Sequence, residues 1–371
     1  MNKIVPITLL TGYLGSGKTT LLNKILANNQ GLKIAVIVND IGEINVDASL
    51  IEKGGIVNTK DDSLVALSNG CICCTLKTDL IDQITSLTST GQFDYIVIEA
   101  SGICEPLPIA QTIVAIGDYA HKYNQPAPCR LDSIATVVDA LRMAREFGCG
   151  NQLTRNNIDD EDIENLLIQQ IEFCNVIILN KVAEVTEDEL KIIRAVIRKL
   201  QPTAEIIETN YCEFDFRKIM DAKQFDIDKA AMSAGWVAEL EKDDEEDEGE
   251  TEEYGIGTYV YYRRKGFNYT KFETFANDRW PSNIIRSKGI CYFTDAPDMS
   301  YMFDQAGTQK KLVKAGQWIC TAPEEEQKQL LAQSAELRHD WDEEYGDKMV
   351  KIVFIGQSLD REALKTELDK L

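Results

Sequence analysis

The chain has 371 residues, 44% hydrophobic and 8% aromatic, with a formal charge of −22 and a pI near 4.6. This length accommodates two domains with separate cores, and the composition excludes a disordered or fibrous chain. Neutralising phosphates along a nucleic acid requires clustered Lys and Arg, and the acidic, unclustered charge pattern excludes that role.

In chain order, MNKIVPITLLTG holds an apolar run too short to cross a bilayer and leads straight into a glycine-rich loop, so no membrane association is expected. Ten cysteines spread at irregular spacing are expected to be thiols in a reducing, cytoplasmic compartment. Short β-branched or aliphatic runs at 4–10, 33–38, 95–98, 134–138, 176–179 and 205–208 predict strands, with helical patterns between most of them. This alternation predicts an α/β fold with a mostly parallel sheet covered by helices on both faces. A helix is marked after Thr186, which forms a capping-box pattern with Glu189; Leu190, Ile193, Ile197 and Leu200 follow at helical spacing until Pro202 stops it.

These elements are assigned to a domain over residues 1–215. A linker over 216–256 is expected next, because residues 241–253 hold ten acids against one lysine and repel one another too strongly to pack. A smaller C-terminal α+β domain is expected over 257–371, with strands at 258–263, 289–294, 312–320 and 349–355 and helices at 270–279, 324–338 and 360–370. Its run RWPSNIIRSKGICYF brings together Trp280, Arg286, Lys288 and Tyr292; the aromatics beside a strand predict core over a docking surface.

The strongest chemical motif is GYLGSGKTT, a P-loop between a predicted strand and a helical run. Gly12, Gly15 and Gly17, with Ser16, Thr19 and Thr20, turn backbone amides toward phosphate oxygens at a helix N-terminus. Lys18 is expected to neutralise the β- and γ-phosphates, and the Thr19 hydroxyl to ligate Mg²⁺. In DYIVIEASG the strand delivers Glu99 to the sheet edge, where a carboxylate can hold the Mg²⁺ shell or position water. Ser101 and Gly102 can then bring an amide to the γ-phosphate. Lys18 and Glu99 are the candidate catalytic residues. Asn180 and Lys181, ending the strand at 176–179, resemble the start of a guanine-reading NKxD signature. Ala183 occupies the Asp position, which leaves either Glu184 to swing in or guanine preference to relax.

Cys71, Cys73 and Cys74 fall in NGCICC, just before a helical run, where thiolates are stabilised. Soft thiolates select zinc or another thiophilic cation, and three of them make an incomplete shell suited to an ion that is passed on. Small core residues and a redox pair are the alternatives.

TLLTGYLGSGKTTLLNKIL, VNDIGEINVD, NGCICC, IEASG and NKVAEV occur in the order and spacing of the CobW-like metallochaperone GTPases, and FIGQSLDREALKTELDKL resembles the end of their C-terminal domain. The resemblance covers nearly the whole chain. It implies a P-loop GTPase that hydrolyses GTP slowly with Mg²⁺, binds Zn²⁺ or another transition metal through Cys71, Cys73 and Cys74, and delivers it to a client metalloprotein. Glu43 takes a switch-like position that could add a carboxylate ligand. The sequence departs from the family at Val38, where some members carry Glu, at Ala183, and in having two histidines, His121 and His339, instead of a histidine-rich segment. A nickel-insertion GTPase, a nucleotide-bound metal buffer and a thiol redox sensor are the competing readings; oligomer formation is left open.

Overall fold

The computed structural model describes residues 4–27, 31–39, 64–67, 76–102, 104–145, 163–223, 225–226, 234–235, 237, 255–307, 309–334, 337–338 and 341–371. The chain divides into two compact units, Met1–Cys149 with Leu166–Ala234 and Gly150–Asn165 with Gly235–Leu371.

The first unit is built on seven strands: β1 Val5–Thr11, β2 Ile34–Asn39, β3 Leu64–Leu67, β4 Tyr95–Glu99, β5 Cys129–Asp139, β6 Val176–Asn180 and β7 Glu205–Glu208. They lie in the order β3-β2-β4-β1-β5-β6-β7, and every pairing is parallel. Parallel strands need crossovers, and among the described residues these contain α1 Lys18–Ala27, α2 Leu76–Ser89, α3 Pro106–Lys122, α4 Ala140–Arg145, α5 Ile163–Glu172 and α6 Glu187–Leu200. Alternate strand residues point to opposite faces, and both sets are buried. Val36, Val97, Val137 and Ile178 join Leu21, Leu22 and Ile25 of α1, whereas Ile37, Ile98, Val138 and Leu179 are equally buried on the other side. Burial on both faces explains why these strands read as continuous apolar runs.

The capping box forms as expected: Thr186 Oγ1 accepts from Glu189 N–H, the Glu189 carboxylate accepts from Thr186 N–H, and Leu190, Ile193, Ile197 and Leu200 are the buried stripe of α6. Residues 216–223, expected to open the linker, are tied to the sheet. Phe216 and Ile219 lie in the core, and Thr8 and Ser133 both donate to the Ile219 carbonyl at 2.6 Å. Asp132, fully buried, accepts from Tyr95 Oη–H, from Arg130, and from the N–H groups of Ala222 and Lys223. The acidic run 241–253 lies outside the described residues.

The second unit is a five-stranded antiparallel sheet of β8 Ile256–Arg263, β9 Ile284–Phe293, β10 Ala296–Ala306, β11 Gln309–Gln317 and β12 Val350–Gln357, in the order β11-β10-β9-β12-β8. Helices α7 Tyr269–Asp278 and α9 Arg361–Asp369 contribute to its core, while α8 Glu324–Gln333 buries no side chain. The aromatic core contains Phe272 and Phe275 of α7 with Phe267, Phe293, Phe303 and Phe354. Tyr292 and Trp280 pack into this cluster, Arg286 is 1% exposed on Asp304, and Lys288 pairs with the same carboxylate at 3.2 Å. The RWPSNIIRSKGICYF run is therefore core, as the aromatics beside a strand predicted.

Candidate functional site

Because all seven strands run the same way, their C-terminal ends share one edge of the sheet, and the site is assembled from the loops there. Strand β1 ends at Thr11 and the P-loop follows, with Gly12, Gly15 and Gly17 at φ of 135°, 75° and 117°. Side chains rarely adopt these angles, and a Cβ on Gly12 would sit 2.3 Å from the Val137 carbonyl oxygen. The motif's glycines are thus required by the loop's path. Lys18 opens α1, is buried, and donates to the carbonyls of Gly12 at 2.7 Å and Tyr13 at 3.2 Å. Its cation is held within the loop that would wrap a phosphate. The buried Ser16 hydroxyl has no hydrogen-bond partner among the described residues, whereas Thr20 is exposed on α1.

Glu99 ends β4, is 1% exposed, and accepts from Thr19 Oγ1 at 3.2 Å. Two residues 80 positions apart are brought together as hard oxygen ligands beside a buried lysine, a donor set that fits Mg²⁺. Val38 sits opposite Glu99 in the β2–β4 register, so the departure at that position places an apolar side chain next to the carboxylate's strand.

Asn180 ends β6 and is 3% exposed. Its Nδ2 donates to the Ser16 carbonyl at 2.9 Å, and its Oδ1 accepts from Cys212 N–H at 3.1 Å. The amide thereby staples the P-loop to the loop after β7. Lys181 adopts a left-handed backbone at φ 63°, donates to the Gly15 carbonyl at 3.1 Å, and pairs with Asp139 at the end of β5. Ala183 is exposed, and its N–H donates to Asn210 Oδ1 at 2.9 Å; Glu184 is exposed in the same short turn.

Sequence reading missed Asp139, Asn210 and Cys212. The signal that found Glu99, an apolar strand ending on a carboxylate, recurs in TVVDALR and marks Asp139. No local signal marks Asn210 or Cys212, whose loop places Tyr211 and Cys212 at φ of 55° and 56°. Burial pushes the Cys212 thiol up to about 12 against the opposing effect of Lys24 and Lys181, so it stays neutral beside the P-loop. Burial does the same to Cys129, Cys174 and Cys291, each pushed up to about 12, which leaves them as packing residues.

Cys71, Cys73, Cys74 and Glu43 lie outside the described residues. The elements bracketing the cysteines are described: β3 ends at Leu67 and α2 begins at Leu76.

A phosphate-wrapping loop after the first strand of a parallel sheet, with a buried strand-end carboxylate on the threonine that follows its lysine, defines a P-loop nucleotide hydrolase. The chain belongs to the CobW/HypB/UreG family of P-loop GTPases: residues 6–208 match the family's nucleotide-binding domain, and residues 256–371 match the cobalamin synthesis protein cobW C-terminal domain. It is similar to the zinc-regulated GTPase metalloprotein activator 1 of Dictyostelium discoideum, with 36% identity over 380 residues covering 98% of this chain and 79% of that one. It is also similar to the zinc chaperone CobW of Pseudomonas aeruginosa, with 32% identity over 219 residues and 56% of each chain covered. The solved structure of the zinc-bound YjiA GTPase from E. coli aligns over 100% of this chain and 99% of that one at 19% identity, with a TM-score of 0.44.

Proposed function

We propose that this protein is a metallochaperone that uses GTP binding and hydrolysis to control the transfer of zinc, or another transition metal, to a client metalloprotein. The observation that carries the reading is the common edge of the parallel sheet. The segment with Cys71, Cys73 and Cys74 leaves the C-terminal end of β3, and the P-loop and Glu99 stand at the C-terminal ends of β1 and β4. The names of the similar activator and zinc chaperone agree with it.

In this reading Gly12, Gly15, Gly17, Ser16 and Lys18 bind the phosphates, and Lys18 balances the charge that grows on the β–γ bridge as the bond breaks. Glu99 orients the attacking water, and Asn180 and Lys181 hold the loops that receive the base. Thr19 and Glu99 would hold Mg²⁺, which supplies further charge neutralisation on the phosphates when bound. Cys71, Cys73 and Cys74, with Glu43, bind the cargo metal, and reduced thiols suit a cytoplasmic protein. A response to the γ-phosphate that is reversed on hydrolysis would change the affinity of that thiolate shell.

The test is zinc affinity by chelator competition, with a GTP analogue and then with GDP. A difference of about tenfold or more is expected, and Cys73→Ser should lower both affinities. Equal affinities in the two nucleotide states would sink the coupling, since a ligand indifferent to two states cannot shift them.

A further inference from the structure

A buried chain of hydrogen bonds that no motif announces starts at the residue before the P-loop. Thr11, Thr136 and Gln170 are each 0% exposed. Thr136 Oγ1 donates to the Gln170 main-chain carbonyl at 2.7 Å, which uses its single proton. The 2.7 Å contact between the Thr11 and Thr136 hydroxyls must therefore run from Thr11 to Thr136. At its far end the Gln170 side-chain Nε2 donates to the carbonyls of both Gly102 and Cys104, each at 3.2 Å.

Those carbonyls belong to the turn that follows Glu99. Cys104 N–H closes it on the Ser101 carbonyl at 3.0 Å, and its first residue, Ala100, still donates to the Leu10 carbonyl at 2.9 Å. The turn lies flush against the P-loop, for a Cβ on Gly102 would come within 2.8 Å of Leu14 N. The Gln170 amide thus grips the turn from behind, with both protons of its nitrogen spent on the turn's backbone carbonyls. A carbonyl held in this way fixes the peptide plane that follows Gly102, and a fixed plane on that side limits how far the Gly102 amide before it can swing.

We propose that Gln170 is a positioning residue for GTP hydrolysis: through its bonds to Gly102 and Cys104 it presets the turn that meets the γ-phosphate, and through Thr136 and Thr11 it ties that turn to the P-loop. The proposal rests on the reading that Ser101 and Gly102 approach the γ-phosphate. GDP has no γ-phosphate, so the preset turn discriminates between the two nucleotides.

The experiment measures binding of a non-hydrolysable GTP analogue and of GDP to the full chain, with kcat for GTP and thermal midpoint alongside. Loss of one buried neutral hydrogen-bond pair is expected to lower analogue affinity and kcat of Gln170→Leu by about tenfold, with GDP affinity unchanged. Parallel loss of analogue and GDP affinity, together with a lower thermal midpoint, would show a purely structural role and overturn the proposal; so would no change in either. Should Gln170→Leu not fold, Thr136→Val removes the bond into Gln170 at nearly constant volume. It is expected to lower the analogue-to-GDP affinity ratio about threefold, and an unchanged ratio overturns the proposal. Gly102→Ala separates this proposal from the reading beneath it. If Gly102→Ala lowers analogue affinity with GDP affinity unchanged and Gln170→Leu does not, the grip is wrong and the turn's role survives. If neither lowers it, both fall.

Discussion

The two units solve the same packing problem with opposite consequences for chemistry. In the first, parallel strands bury aliphatic residues on both faces and deliver Thr11, Glu99, Asp139 and Asn180 to one edge. In the second, antiparallel strands alternate direction, so their ends are divided between two edges, and the sheet is held by an aromatic core with the buried Arg286 paired on Asp304. Parallelism gathers polar strand ends, whereas antiparallelism scatters them. The comparison teaches that a parallel sheet brings the polar ends of several strands to one place where loops can use them, whereas the charges of the antiparallel sheet, Arg286, Lys288 and Asp304, pair with one another within it.

The sharpest way to break this division is to damage the second unit alone. Phe354→Ala should cost that unit about 3–5 kcal/mol in denaturant unfolding, because Phe354 is fully buried in the aromatic cluster, and GTP hydrolysis should persist at near wild-type kcat. Hydrolysis lost together with the second unit's fold would refute the separation. The converse change is Lys18→Ala, expected to lower kcat/KM for GTP by about a hundredfold or more while the unfolding of the second unit is unmoved.

A smaller effect concerns the polar patch in the first unit that serves structure alone. Burial pushes the Asp132 carboxyl up, but hydrogen bonds from Tyr95, the Lys223 N–H and Arg130, with the Arg130 charge, outweigh it and hold the group below the usual carboxylate range. A folded value below the unfolded one gives stability that is fully present above the unfolded pKa and is lost as pH falls through the folded one. Asp132→Asn should therefore cost roughly 1.5–3 kcal/mol near neutral pH, with the gap to wild type closing in acid titrations of unfolding. A gap that widened in acid would contradict the bonding described. The smallest expected effect is at the base side. Ala183→Asp restores a carboxylate for the guanine N1 and N2 protons and should raise the preference for GTP over ITP by about tenfold in competition binding. An unchanged preference would mean that the side chain at position 183 does not meet the base.

Legibility followed the range of the forces involved. Strands β1, β2, β4, β5 and β6 were readable because burial on both faces writes an aliphatic run into each, whereas β7 was readable from Ile206 and Ile207 alone. Strand β3, LVAL, is a short apolar run that periodicity cannot tell from a helical segment, and β10, APDMSYMFDQA, has its alternation blurred by Pro297, Asp298 and Asp304. Both are strands because neighbours pair with them, β2 in one case and β9 with β11 in the other.

By itself the sequence determined the P-loop, the strand-end Glu99 and the α6 capping box, since each depends on residues within a turn or two of one another. Only the tertiary structure decided that Thr19 donates to Glu99, that Asn180 staples Ser16 to Cys212, that Lys181 pairs with Asp139, and that Gln170 grips the turn at Gly102. These contacts join positions far apart in the chain, and the distances between them are set by strand order and register. No local pattern of side chains encodes those until the sheet has closed on its core.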